Sequence, residues 1–176
     1  MTRSRSLRPP WIGILALLVA YFLDARYLPA AKLPVRVRLE VVAIQDGDTL
    51  EGLERPPGRS PKTHRIRLAS IDCPERSQAF GQVARTFTSD RAFGRTIEVT
   101  IQGEDRYGRL LGWVYLPGDA MSLNHQLVAA GLAWHYRRYS DDPGLQRLED
   151  EARAARRGLW ADPNPIPPWD YRTNDR

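Results

Sequence analysis

The sequence predicts a β-rich α+β protein: a five-stranded Greek-key barrel of the OB type with three helices, preceded by an N-terminal apolar signal or anchor segment. Three observations predict it. Apolar residues alternate with polar ones in short runs, which is the two-residue period of half-buried strands. One stretch of helical period interrupts those runs and two more follow them. Turn signals rich in Gly, Asp and Pro separate the segments. At 176 residues, with 42% apolar and 27% charged residues, the chain has the composition of a folded globular protein. That excludes wholesale disorder. A single cysteine, Cys73, excludes an intrachain disulfide and a cysteine-based zinc cluster.

The N-terminus comes first. Arg3, Arg5 and Arg8 precede an unbroken apolar run of thirteen residues, Trp11 to Leu23. This length suits a signal-peptide core better than a full membrane span, which needs about 20 residues. No small-x-small cleavage site follows, however, and cutting after Ala31 would leave Pro29 at the −3 position. The expectation is therefore a signal-anchor, with a cleaved signal as the alternative. Either places the body outside the cytoplasm, membrane-anchored or periplasmic or secreted. Residues 1–31 form this segment, residues 35–160 the barrel domain and residues 161–176 a proline-rich extended tail. Of the net charge of +5, the leader carries +3, from four arginines against Asp24. The body is only mildly basic, so net charge alone is weak evidence for a nucleic-acid partner.

Along the body, Val35, Val37, Leu39, Val41 and Ala43 alternate with Arg36, Arg38 and Glu40, the first strand. Asp46-Gly47-Asp48 is a turn, and Thr49–Leu53 the second strand. Arg55–Pro61, with three prolines and a glycine, is a loop. His64–Ile71 alternates again. Phe80, Val83, Ala84 and Phe87 then fall on one helical stripe, and Gly94 ends that helix. Ile97, Val99 and Ile101 make the fourth strand and Leu110–Leu116 the fifth, joined by the turn Gly103–Gly108. Leu123, Leu127 and Val128 mark a short helix closed by Gly131. A last helix runs from about Leu145 to Arg157, acidic early and basic late, as the helix dipole favours.

Three clusters carry chemistry: Asp46-Gly-Asp48-Thr, Arg67-(x)4-Asp72-Cys73-Pro-Glu75, and Asp105-Arg-Tyr107-Gly-Arg109. Singly, each has a structural explanation, since Asp-Gly-Asp is a common turn and a strand arginine is commonly solvated. Together they are the parts of a phosphodiester-cleaving site. Asp48 and Asp72 offer hard oxygen ligands to Ca²⁺. Glu75 can orient or deprotonate a water. Arg67 and Arg109 can grip a phosphate and neutralise charge building on its oxygens. His64, His125 and His135 are too scattered for a zinc site, and Cys73 has no partner histidine to make it a nucleophile.

In this order and spacing the chain resembles the staphylococcal nuclease-like (thermonuclease) family over about residues 37–160. The blocks are those three clusters together with Phe80-Gly81, Asn124, Gly131-Leu-Ala and Gly158-Leu-Trp160. The closing Asp-Pro-Asn-Pro-Ile-Pro-Pro-Trp-Asp-Tyr-Arg also looks like bacterial members. The resemblance implies an OB barrel with three helices that cleaves DNA, RNA or both with Ca²⁺. By position it implies Asp48 and Asp72 as metal ligands, with Cys73 offering its main-chain carbonyl where the family often has threonine. It implies Glu75 as general base and Arg67 and Arg109 as the phosphate pair. Water would attack phosphorus, the bond to the 5′ oxygen would break, and a 3′-phosphate would remain. Tyr107 and Tyr139 are candidate substrate contacts, and Arg137 stands where well-known members place an aromatic residue. The segment from Glu75 to Phe80 is shorter than in those members. The expected partners are a nucleic-acid substrate and, through the leader, the membrane, with the protein a monomer. Two other functions compete. One is a tethered, non-cutting OB module that binds single-stranded nucleic acid, and the other is a structural domain that uses the tail to bind a partner.

Overall fold

The structure is a computed structural model that describes residues 35–174, and the leader lies outside them. Its strands are β1 (Val35–Asp46), β2 (Thr49–Glu54), β3 (Lys62–Leu68), β4 (Ile71–Asp72), β5 (Thr96–Glu104), β6 (Leu110–Tyr115) and β7 (Trp134–His135). Its helices are α1 (Gly81–Ala92), α2 (Leu123–Ala129), α3 (Pro143–Ala154) and α4 (Pro168–Asn174), with a 3₁₀ turn at Gly158–Ala161.

Five strands close into a barrel in the order β1-β2-β3-β6-β5. All neighbours are antiparallel except β3 and β6, which run parallel. β1 is long enough to serve both sides. Its first half pairs with β5, from Val35 opposite Ile101 to Glu40 opposite Thr96. Its second half pairs with β2 as far as Asp46 opposite Thr49. Register shifts between Val41 and Ala43, and between Ile44 and Asp46, bend the strand as it changes partner, the device by which barrels turn corners. The alternation predicted for the first strand is thus seen, and the strand continues to the Asp-Gly-Asp turn itself.

The inward residues of that alternation fill the barrel. Leu39, Leu50, Ile66, Ile97, Val99 and Val114 are fully buried, joined by Leu123, Leu127 and Leu145 from the helices. Each such aliphatic side chain contributes about 1.5–3 kcal/mol by leaving water. Asn124 ties α2 to this core through polar atoms. Its amide donates to the carbonyls of Ala69 and Gly112, and its side-chain oxygen accepts from the N–H of Val114. A second cluster gathers Trp134, Ala152, Leu159 and Trp160, with Phe80 and Trp169 packed against it.

The structure corrects four local expectations. The buried face of α1 is Gly81, Ala84, Thr88 and Ala92, whereas Val83 is 50% exposed. Small residues let this helix lie close over the β1–β2 turn, where Thr88 Oγ1 donates to the Gly47 carbonyl at 2.5 Å. α3 begins two residues before Leu145, because Asp142 caps it by accepting from the N–H groups of Gly144 and Leu145, with Pro143 at its first position. It ends at Ala154, three residues before Arg157. The tail expected to stay extended from residue 161 does so only as far as Pro167. Pro168 then starts α4, and Trp169 buries its ring against Trp134 and Tyr136.

Candidate active site

β2 opens with Thr49 directly after the Asp46-Gly47-Asp48 turn, and β3 lies beside it with Arg67 opposite Thr49. Two residues beyond β3, β4 carries Asp72 and pairs with β7, Asp72 facing Trp134 across the ladder. Three consecutive turns of chain thereby deliver Asp48, Arg67 and Asp72 to one spot. The glycine between the two turn aspartates is required by space: a Cβ at Gly47 would stand 2.7 Å from the Ala84 methyl and 2.9 Å from the Cys73 sulfur.

Arg67 forms the centre. Its Nη1 lies 3.0 Å from Asp48 Oδ2, and its Nη2 donates to Asp72 Oδ1 at 2.7 Å. Nη1 also donates to the Leu68 carbonyl. Asp72 is 1% exposed and Asp48 6%. Burial by itself disfavours charge on Arg67, but Asp48 and Asp72 outweigh it and hold its pKa above the ordinary value. Asp48 is fixed from the other side by the N–H of Cys73, which donates to Oδ2 at 2.7 Å, and by the Thr49 hydroxyl. The thiol of Cys73 is buried, and burial, then Asp48, push its pKa far up. The thiol packs in the hydrophobic core with Ala84.

The acids outnumber the cations. Burial, and next the Asp48 carboxylate, raise the pKa of Asp72, and Arg172 and Arg67 only partly offset this. Burial and Asp48 likewise raise Asp46, whose nearest cation is Arg76 at 3.7 Å. This surplus of oxygen-borne negative charge is what a hard divalent cation satisfies. Asp48 and Asp72 are the residues suited to hold one. Among the described residues no three His, Cys, Asp or Glu side chains stand together as a ready-made metal cage. Instead, guanidinium groups bridge the acids: Arg67 joins Asp48 to Asp72, and Arg172 joins Asp72 to Glu75.

The remaining candidate residues lie apart from this centre. Arg109 pairs with Asp105 at 2.7 Å, within its own turn, and not with Asp48 or Asp72. Asp105 also accepts from the N–H groups of Tyr107 and Arg109. Burial opposes ionisation of Asp105, but these bonds and the Arg109 charge together hold it below the usual carboxylate range. The turn therefore presents a preorganised arginine at the start of β6, the strand beside Arg67. Tyr107 is 65% exposed, which removes core packing as its role, and the Arg106 guanidinium lies 4.8 Å from its ring centre. Tyr139 is 69% exposed, edge-on to Tyr136. Arg137 pairs with the buried Glu149. Of the histidines, His64 meets Glu54, His125 meets Ser122 and stacks on Trp113, and His135 is buried in β7 with neither ring nitrogen hydrogen-bonded.

Sequence reasoning gave Arg172 no role. Its signal was the closing Pro-Pro-Trp-Asp-Tyr-Arg motif, but nothing in a stretch with four prolines indicates that it returns to Asp72, a hundred residues earlier.

The chain is similar in sequence to known proteins. The model of the family described as staphylococcal nuclease homologue matches residues 65–162. The chain is 46% identical over 132 residues to a protein of Escherichia coli O157:H7 named "Uncharacterized endonuclease", covering 75% of this chain and 82% of that one. It is 43% identical over 144 residues to a Shigella flexneri protein named "Micrococcal nuclease", covering 77% and 80%. A Haemophilus influenzae protein, also named as an endonuclease, is 40% identical over 136 residues.

Proposed function

The chain belongs to the staphylococcal nuclease homologue family and is a nuclease, and from that premise we propose that it is a Ca²⁺-dependent phosphodiesterase that cuts DNA, RNA or both to leave 3′-phosphate ends. The observation that carries this reading is the Asp48–Arg67–Asp72 arrangement. A guanidinium is held between two buried carboxylates, one from the β1–β2 turn and one from β4, with Glu75 three residues beyond the second. Burial and hydrogen bonds hold Asp48, Arg67 and Asp72 in place before a phosphate arrives, which favours electrostatic stabilisation of a transition state.

In this proposal Asp48, Asp72 and the main-chain carbonyl of Cys73 hold Ca²⁺. The bound cation supplies positive charge to a phosphate oxygen and favours ionisation of a water. Glu75 accepts the proton of the attacking water. The water oxygen bonds to phosphorus, the bond from phosphorus to the 5′ oxygen breaks, and the electron pair leaves with that oxygen. Arg67 neutralises charge on the non-bridging oxygens. Arg109, released from Asp105, donates toward the phosphate and the departing oxygen. Exposed Tyr107 and Tyr139 stack on bases, a contact of about 1–3 kcal/mol per base. One chain carries all of these groups, so the working unit is a monomer. The apolar run Trp11–Leu23 supports placing the enzyme outside the cytoplasm, anchored in the membrane or released from it. No helix among the described residues is long and apolar enough to cross a membrane.

The test incubates the purified chain with end-labelled single-stranded DNA and RNA, with Ca²⁺ or with a chelator, beside a Glu75→Gln variant. The expected result is Ca²⁺-dependent fragments ending in 3′-phosphate, lost or reduced by about 10²–10⁴-fold in the variant. The exposed Tyr107 and Tyr139 equally suit a module that binds without cutting. Retention of intact strands by folded protein in every lane would establish that function in place of this one.

A further inference from the structure

Arg172 is a charged group in direct contact with Asp72 and Glu75 that the proposed chemistry leaves unused. It projects from α4 with Nη2 2.7 Å from Asp72 Oδ2 and Nη1 3.4 Å from Asp72 Oδ1, while Nη1 also donates to Glu75 Oε1. Arg67 already takes Asp72 Oδ1. Both oxygens of Asp72 and one oxygen of Glu75 are therefore engaged by guanidinium groups. These are the atoms that a cation and an activated water would need.

The helix that delivers Arg172 is docked beside the site. Trp169 stacks parallel on Tyr136 at 5.1 Å and meets Trp134 edge-on at 5.6 Å. Trp134 is the residue paired with Asp72 across β4 and β7. The Tyr171 hydroxyl reaches Ser77, and Gln78 donates to the Ile166 carbonyl, so the tail also grips the loop that carries Glu75. The Arg172 side chain is nevertheless 42% exposed, on the water side of its ion pairs. It can leave without opening the core.

We propose that Arg172 is a built-in substitute cation: with no metal bound it neutralises Asp72 and Glu75, and a divalent cation must displace it to bind. This rests on the cation reading of Asp48 and Asp72 given above. The physical reason is charge. Asp72 shares Arg67 with Asp48 and shares Arg172 with Glu75, and a guanidinium placed between such carboxylates relieves their repulsion reversibly. A divalent ion offers twice its charge to the same atoms. Two consequences follow. Arg172 weakens metal affinity, and metal binding loosens α4, because the two compete for the same oxygens and coupling between binding events is reciprocal.

The test titrates Ca²⁺ calorimetrically into the full chain and its Arg172→Ala and Arg172→Lys variants, and follows hydrogen exchange of residues 168–174 in the wild type with and without Ca²⁺. Tighter binding by about tenfold in Arg172→Ala is expected, with Arg172→Lys in between and faster exchange in α4 when Ca²⁺ is present. Equal or weaker affinity in Arg172→Ala overturns the proposal while the cation site stands. Binding by the variant alone supports it in its strongest form. Absence of Ca²⁺ binding in every protein overturns both this proposal and the cation reading beneath it. The exchange measurement needs no variant: unchanged protection of residues 168–174 at saturating Ca²⁺ overturns the substitution even should Arg172→Ala fail to fold.

Discussion

Arg67 shows how one residue can be both scaffold and reagent. Its guanidinium neutralises two carboxylates that would otherwise be buried side by side, and its side chain is only 13% exposed. Removing one partner of such a group strands the others. Arg67→Ala is therefore expected to lower stability by about 3–5 kcal/mol, read from the urea unfolding midpoint without metal. Arg67→Lys restores charge but not the fork that spans two acids, so it recovers only part of that loss. An unchanged midpoint in Arg67→Ala would mean that Asp48 and Asp72 find water or other partners. The residue types of this centre were legible in the sequence, because Asp48, Arg67, Asp72 and Glu75 lie in two short blocks. The pairing of Arg109 with Asp105 was less legible. Both stand in one turn, but only the turn's geometry aims the guanidinium back at the carboxylate.

At the scale of elements, close crossings govern what can change. Gly131 follows α2 with φ of +69°, and a Cβ there would come within 2.2 Å of the Arg157 carbonyl oxygen. The opposing segment begins at Gly158, and Leu159 donates its N–H to the Gly131 carbonyl at 2.9 Å. Gly131→Ala is expected to cost more than about 1 kcal/mol, through both the left-handed backbone and the clash. A thermal midpoint within error of the wild type would show that the crossing can open. The sequence marked Gly131 as a helix stop, which it is, but not as the point where two segments touch. The helical stripe of α1 was read in part. Ala84 is buried and Phe80 and Phe87 pack against the core, but Val83 is exposed, and the small residues Gly81, Thr88 and Ala92 complete the buried face. Strand alternation was read more reliably, because in a closed barrel one face of every strand must turn inward.

For the whole molecule, charge decides how substrate is attracted. The net charge is only +5, with +3 of it in the leader, so attraction to a nucleic acid must be local. Arg109 lies 5.8 Å from the exposed Tyr107 ring and Arg138 5.7 Å from the exposed Tyr139 ring, with Arg137 next to Arg138 in sequence. With chemistry silenced by Glu75→Gln and a chelator present, affinity for single-stranded DNA should fall with salt at a log–log slope of about −2, the value for three neutralised phosphates. A slope steeper than about −4 would mean that a wider basic surface takes part. By itself the sequence determined the strand periods, the turns, the helix stops and the family blocks, all properties of residues close together in the chain. Only the tertiary structure decided which distant segments meet. Asp48 and Asp72 share one guanidinium because β2 and β3 pair and β4 follows directly. Arg172 joins them because Trp169 packs its ring against Trp134 and Tyr136. Local pattern fixes which face a residue presents, whereas burial summed over the whole chain fixes what that face meets.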